Sequence, residues 1–403
     1  MRRAGGIALV AIGLVLIALF FVTEHTYPAP TPPTPTRPPA STPTLTRPPT
    51  PIARATFTPE PLVPTRTRAA QETRALATPT SIAKNTPLAA RSAPHALVWQ
   101  GRPRWGIGVA IGPLTRYDLA PFSFGWYLDW RAQIDPPRPG NIEYVQMVRL
   151  ITGELQPTES KIAQIARANP GSLWLIGNEP DVKWQDNVEP RAYARLYQRA
   201  YRAIKDADPT AQVGIGGVTQ PTPLRLRYLD QVLAAYREQN QTALPVDVWN
   251  VHNFILREER GSWGVDIPPG LPDATGMLYE VDDSGNLDAF RAQIIAFREW
   301  MAARGFQNYP LVVSEYGIPM PEDYGFPDER VLNFLIGTFD FFLTARDPAL
   351  GYPADDYKLV QRWCWYSLDD TGYPTGRLFD PQTGEMTNFG KGFAAFIRAL
   401  HAP

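Results

Sequence analysis

Seventeen of the 43 prolines fall between Pro28 and Pro94, and that crowding decides where in the 403 residues a fold can form. Each proline fixes its own φ, removes a backbone donor and pushes the preceding residue toward extended conformations. With Thr, Ala and Arg between the prolines and almost no apolar periodicity, residues 28–96 cannot bury enough surface to offset chain entropy. They read as a linker with polyproline II character, some 200 Å long at about 3.1 Å per residue if fully extended. The functional reading is a stalk, and folding is left to residues 97–403, enough for one large domain.

Ahead of the linker, residues 4–22 (AGGIALVAIGLVLIALFFV) form an uncharged apolar run. As a helix it spans about 28 Å, close to the hydrocarbon thickness of a bilayer. Arg2 and Arg3 precede it, which orients the N-terminus to the cytoplasm and the rest of the chain outside. Residues 1–27 are therefore expected to be an uncleaved signal anchor in the cell membrane. A cleaved signal peptide, giving a secreted protein, is the competing reading, but Val22 to Tyr27 offer no small residues at a suitable cut site.

The overall charge of −1 is unevenly spread: residues 28–94 hold eight Lys/Arg against Glu60 and Glu72, which leaves the folded part acidic. A nucleic-acid enzyme would need a basic face, so that class is disfavoured. A lone cysteine, Cys364, excludes an intrachain disulfide and a cysteine-rich zinc site.

Beyond Leu97, short apolar runs alternate with helix-periodic segments. The expected strands are 105–111, 124–128, 144–151, 173–177, 212–216, 246–251, 311–314 and 360–366. The expected helices are 159–168, 190–207, 224–239, 287–304, 330–345 and 390–400. Pro190 suits a first helical turn, and Asp208-Pro209 stops that helix. Eight strands with helices between most of them predict an α/β fold, a (β/α)8 TIM barrel; the first two connections show no clear helix. A doubly wound sheet would want a Gly-rich phosphate loop after its first strand. The glycines at 214, 216 and 217 lie within a strand and read as close packing.

Reactive groups of such barrels lie at the C-terminal ends of the strands. The fourth strand ends in Asn178-Glu179-Pro180-Asp181, the sixth in Asn250-Val251-His252-Asn253, and the seventh in Ser314-Glu315-Tyr316-Gly317. Glu179 and Glu315, 136 positions apart, are thus expected at one mouth. Paired carboxyls in unlike environments suit glycoside hydrolysis, with Asn178 available to the sugar 2-hydroxyl. Tyr316 is expected to help keep its neighbouring carboxylate ionised, and Trp126, Trp130, Trp184, Trp263 and Trp365 to offer flat faces to sugar rings. Trp174 and Trp249, inside strands, read as core.

The segments Leu175–Asp181 and Val313–Gly317 resemble the acid/base and nucleophile motifs of glycoside hydrolase clan A. Within that clan, Trp126-Tyr127-Leu128-Asp129-Trp130 resembles the second strand of family 128, a family of compact endo-β-1,3-glucanases. Tyr144–Met147 and Val246–His252 resemble its third and sixth strands. Two departures stand out: Asp129 replaces an expected Asn, and a long insertion, 253–286, follows the sixth strand. The resemblance implies that Glu179 is the acid/base and Glu315 the nucleophile of a retaining enzyme on β-linked polysaccharide, with His252 also at the site. Other clan A substrates (xylan, mannan or galactan) and a non-catalytic surface glycan-binding barrel are the alternatives.

No metal or cofactor is expected, since none of the four histidines has the i, i+4 partner of a zinc helix. Asp282 to Asp288 lack the closing glutamate of a calcium loop and read as a turn with a helix cap. No Gly-x-Ser-x-Gly elbow occurs. The expected partners are polysaccharide and, through residues 4–22, a membrane, with a monomeric catalytic domain.

Overall fold

The computed structural model describes residues 101–402. The expected anchor (1–27) and the whole of the expected linker (28–96) therefore lie outside the described residues. Among the described residues no helix is long and apolar enough to cross a membrane.

Nine strands are formed: β1 (Trp105–Gly108), β2 (Trp126–Leu128), β3 (Glu143–Tyr144), β4 (Gln146–Val148), β5 (Leu173–Ile176), β6 (Gln212–Ile215), β7 (Trp249–His252), β8 (Leu311–Tyr316) and β9 (Arg362–Trp365). Six helices are α1 (Glu159–Ala168), α2 (Pro190–Ala207), α3 (Pro223–Asn240), α4 (Leu287–Ala303), α5 (Asp328–Thr344) and α6 (Asn388–Leu400). Every strand pair is parallel, in the orders β3-β2-β1-β9-β8-β7 and β4-β5-β6. Two links join these arcs. Only Val145 separates β3 from β4, and its N–H still reaches Tyr127 O at 2.9 Å, so the two are halves of one strand. A parallel bridge, Gly214 with Val248, connects β6 to β7. The result is a ring of eight parallel strands.

The sequence explains the local elements. In α2, Pro190 occupies the first turn and Tyr193, Ala194, Tyr197, Ala200 and Ile204 recur on one buried face. Asn286 caps α4, its side chain accepting from the N–H groups of Asp288 and Ala289, after a short turn over Val281–Gly285. The connections after β1 and β2 hold no α-helix, only two short 3-10 turns in the first and one in the second. The wall they leave is covered by α6, whose Phe393 ring packs 5.6 Å from Phe122 and 6.1 Å from Phe124.

Strand alternation sorts the core into two parts. Trp126, Leu128, Val145, Met147, Leu173, Leu175, Val248, Val312 and Cys364 form a cluster inside the ring. Their neighbours, including Ile107, Tyr127, Trp174, Ile176, Trp249, Val313, Trp363 and Trp365, face outward under the helices. Enclosing each such side chain contributes about 1.5–3 kcal/mol.

Candidate active site

Glu179 follows β5, Thr219 follows β6, His252 ends β7 and Glu315 lies in β8. All four are buried. Glu179 holds φ at +40°, a left-handed conformation that costs about 1–3 kcal/mol in a non-glycine residue. Its N–H is tied to Gly217 O at 3.0 Å. Its carboxylate accepts the Thr219 hydroxyl at 2.7 Å and lies 2.9 Å from His252 Nδ1. The other ring nitrogen, Nε2, is 3.3 Å from Glu315 Oε1. Trp130 Nε1–H donates to that same oxygen at 2.6 Å. Oxygens of the two carboxyl groups and the imidazole nitrogen lie within 4.8 Å of one another. Nδ1 is within hydrogen-bond distance of Glu179, while Nε2 faces Glu315 without a hydrogen-bond partner among the described residues, an arrangement suited to passing a proton and a set of side chains that could also hold a metal ion.

Local backbone irregularity brings Glu315 inward. Strict alternation after Val312 (inside) and Val313 (outside) would put Ser314 inside and Glu315 outside. The register against β9 shifts between Val313 and Tyr316, and that against β7 shifts between Val251 and His252. The extra residue turns Glu315 to the mouth and sends Tyr316 to the outer core. Just beyond β6, Gly217 leaves the imidazole its room: a Cβ there would lie 2.4 Å from His252 Cδ2.

Burial, the largest influence on Glu315, raises its pKa to about 7, with Glu179 adding to the rise while His252 and Trp130 oppose it. For Glu179 burial also pushes upward, but the His252 contact, Thr219 and Arg225 outweigh it and hold this carboxyl below its ordinary value. Burial pushes the His252 pKa down, yet the two glutamates prevail and raise it. A proton shared by the two carboxyls therefore favours Glu315.

Three sequence expectations are corrected. Trp126 lies in the closed interior of the ring, its N–H on Arg104 O at 2.9 Å and Arg362 over its ring at 4.8 Å. Trp365 is enclosed against Phe389 and donates to Gly376 O. Tyr316 is wholly buried between Phe290, Phe342 and Trp365, on the far side of the strand from the carboxylates. None of these can meet a sugar. Trp263 is partly buried against the core within the insertion, and Trp184 is 56% exposed in the loop after β5, with Lys183 over its ring. Asn178 is buried next to Glu179: its N–H donates to Asp186 at 2.8 Å, and its Oδ1 has no hydrogen-bond partner among the described residues.

Residues that sequence reasoning missed complete the mouth. Tyr366 packs edge-on to Trp130 at 5.9 Å and to Phe254 at 6.1 Å, and its hydroxyl bonds Asp370. Tyr373, half exposed, is close enough to Glu179 for that charge to help raise its pKa, after burial and Asp370. Inner-face alternation of Cys364 and Tyr366 was the available signal for Tyr366; Thr219 and Tyr373 carried none. Asp129, at the departure from the expected Asn, accepts from Tyr144, Arg131 and Gln133 and so holds the loop that carries Trp130.

Residues 110–263, which run from before β2 to past β7 and include Glu179 and His252, match the family model described as the glycosyl hydrolase catalytic core. That match, to the core of a class of enzymes that hydrolyse glycosidic bonds, covers less than half of the chain. The chain is similar to a family 128 (subgroup II) endo-β-1,3-glucanase from Sorangium cellulosum: 17% identity, 73% of this chain, 98% of that one, TM-score 0.49. It is similar also to a curdlan-specific exo-β-1,3-glucanase (subgroup III) from Blastomyces gilchristii, determined with glucose: 19%, 72%, 97% and 0.48. A third is a subgroup I endo-β-1,3-glucanase from Amycolatopsis mediterranei with laminarihexaose: 15%, 72%, 98% and 0.47. One curated protein, the pyruvate dehydrogenase E1 component of Mycobacterium tuberculosis, is 27% identical over 184 residues, 43% of this chain. The chain spans only 18% of that protein's length.

Proposed function

We propose that this protein is a retaining glycoside hydrolase that cleaves β-linked polysaccharide, with β-1,3-glucan the favoured substrate. The observation that carries the reading is the approach of Glu179 and Glu315 oxygens to within 4.8 Å across His252. Retaining enzymes hold their carboxyls about 5–5.5 Å apart, whereas inverting ones need about 6.5–9.5 Å to admit water. Glu179 protonates the glycosidic oxygen while Glu315 attacks the anomeric carbon. Glu179 then takes a proton from water, which displaces the sugar from Glu315. Asn178, with its free buried oxygen, contacts the sugar 2-hydroxyl. The preference for β-1,3-glucan rests on the family 128-like strand motifs.

The shared proton favours Glu315, the reverse of what attack requires. His252 supplies the route. Glu315 passes its proton to Nε2 while the Nδ1 proton moves to Glu179, which leaves the imidazole neutral and the nucleophile ionised. The 3.3 Å gap at Nε2 is one that substrate binding tightens. The domain acts outside the cell as a monomer, held by residues 4–22 and the proline-rich linker, or secreted where that segment is removed.

The test is Glu315→Ala. Turnover of laminarin should vanish, and azide with an activated glycoside should restore it as the inverted glycosyl azide. Laminarin-derived oligosaccharides, with xylan and mannan untouched, support the substrate; undiminished laminarin turnover in the variant overturns the assigned role.

A further inference from the structure

The segment after β7 is built around a charge it does not carry itself. Arg225, in the first turns of α3, is wholly buried. Its guanidinium meets Glu258 Oε1 at 2.6 Å and Asp181 Oδ2 at 2.7 Å. The remaining nitrogen donates to the carbonyls of Val265 and Asp266. Glu258 is equally buried and has every oxygen engaged. Oε1 also accepts the Thr222 hydroxyl, and Oε2 accepts Met277 N–H at 2.8 Å. Gly276 permits this approach, since a Cβ there would lie 2.3 Å from Oε2. Gln220 ties the same segment down twice more, through Leu256 N–H and Leu256 O. At the other end, Asp181 stands two residues beyond Glu179 and accepts Thr219 N–H at 3.2 Å, while the Thr219 hydroxyl serves Glu179 itself.

We propose that Glu258 is a positioning residue for Glu179, acting through Arg225 and Asp181, so that the 253–286 insertion sets the position and proton affinity of the acid/base. This rests on the reading of Glu179 above. The groups that face Glu179 are His252 from β7, Glu315 from β8, Asp181 and Thr219 on the neighbouring loops, Arg225 from α3 and Tyr373 beyond β9. Arg225 is the cation that draws Glu179 and Asp181 toward their charged forms, and burial drives Asp181 the other way, to about 6. Glu258 partly cancels that cation.

The experiment is Glu258→Gln in the full chain, a nearly isosteric change that removes the cancelling charge. Arg225 then acts on Glu179 more strongly. With Glu179 the lower of the two carboxyls, the acid limb of the kcat/KM profile on laminarin should move down by about half to one pH unit. Substrate-free infrared titration of the protonated carboxyl band, assigned by its loss in Glu179→Gln, should shift by the same amount. Gly276→Ala, which displaces the Glu258 carboxylate without neutralising it, gives a second variant should Glu258→Gln fail to fold; it too should move the Glu179 band. An unmoved band and limb in a cooperatively melting variant overturn the proposal. The infrared titration needs no turnover, so it decides this point even if the hydrolase reading itself fails on every glycan tried.

Discussion

Trp130 donates its indole N–H to Glu315 at 2.6 Å, across 185 positions of sequence. One residue is on the loop after β2 and the other is in β8, and both rest on a local break in regular backbone: φ of +59° at Trp130 and the register shift beside Glu315. The hydrogen bond favours the ionised carboxylate, working against the burial that raises it. Trp130→Phe keeps the ring and removes the donor. The Glu315 pKa should rise further, and since it is the higher of the two carboxyls the alkaline limb of kcat/KM should move up by about half to one pH unit. Near neutrality kcat should fall about tenfold with KM within about twofold; pH–rate profiles check both.

Holding Glu315 in this pocket costs the fold stability. Its folded pKa, about 7, lies above the ordinary 4.5, so the native state binds this proton more tightly than the unfolded chain does. The group's contribution is therefore full below about 4.5 and is lost as pH climbs through about 7. Glu315→Gln removes that loss. The variant should outmelt the parent by a margin that opens across this interval and levels off above it, on the order of 1–3 kcal/mol. Thermal denaturation at stepped pH reads the margin directly.

Gly217 separates site geometry from stability. A methyl there would meet the His252 ring at 2.4 Å, and the imidazole would have to leave at least one carboxylate. Gly217→Ala should lower kcat by about a hundredfold, comparable with loss of a positioned proton-transfer group. If the variant instead retains parental kcat, His252 is not part of the proton route.

Two neighbours in β9 and its extension should behave oppositely. Trp365 is enclosed in the outer core, and Trp365→Ala should cost about 3–5 kcal/mol while leaving KM of the folded fraction unchanged. Tyr366 faces the mouth beside Trp130, and Tyr366→Ala should raise KM about tenfold. Calorimetry and initial rates on the same pair of variants test this contrast.

Much of the scaffold was readable because period-2 and period-3.6 patterns report burial directly. Pro190–Ala207 and Glu159–Ala168 match the expected bounds, and the missing helices after the first two strands were visible as missing periodicity. The third strand was expected whole; it divides at Val145, where the pairing partner changes from β2 to β5. The placement of Glu179 and Glu315 at one mouth follows from strand ends. What the pattern could not reveal is the inserted residue in β8, which exchanges the faces of Glu315 and Tyr316, because a bulge is set by neighbouring strands and leaves no mark on hydropathy. The same limit explains Trp126 and Trp365: a tryptophan near a strand end says nothing of depth along the ring, and period 2 assigns Trp365 to the outside only once Cys364 is known to point in. Arg225, Asp181 and Glu258 were invisible as a group because their meeting is wholly tertiary.

The bare stretch of wall beside β1 and β2 has a consequence for biosynthesis. Its cover, α6, lies near the far end of the chain and seats Phe393 against Phe122 and Phe124 while Phe339 packs on Phe393 and Phe396. A nascent chain leaving the ribosome N-terminus first has all eight staves available before the plank that seals this side emerges. Until then a cluster of aromatic rings faces water, and a ribosome stalled short of Asn388 would display a sticky, open-sided cask to the chaperones around it.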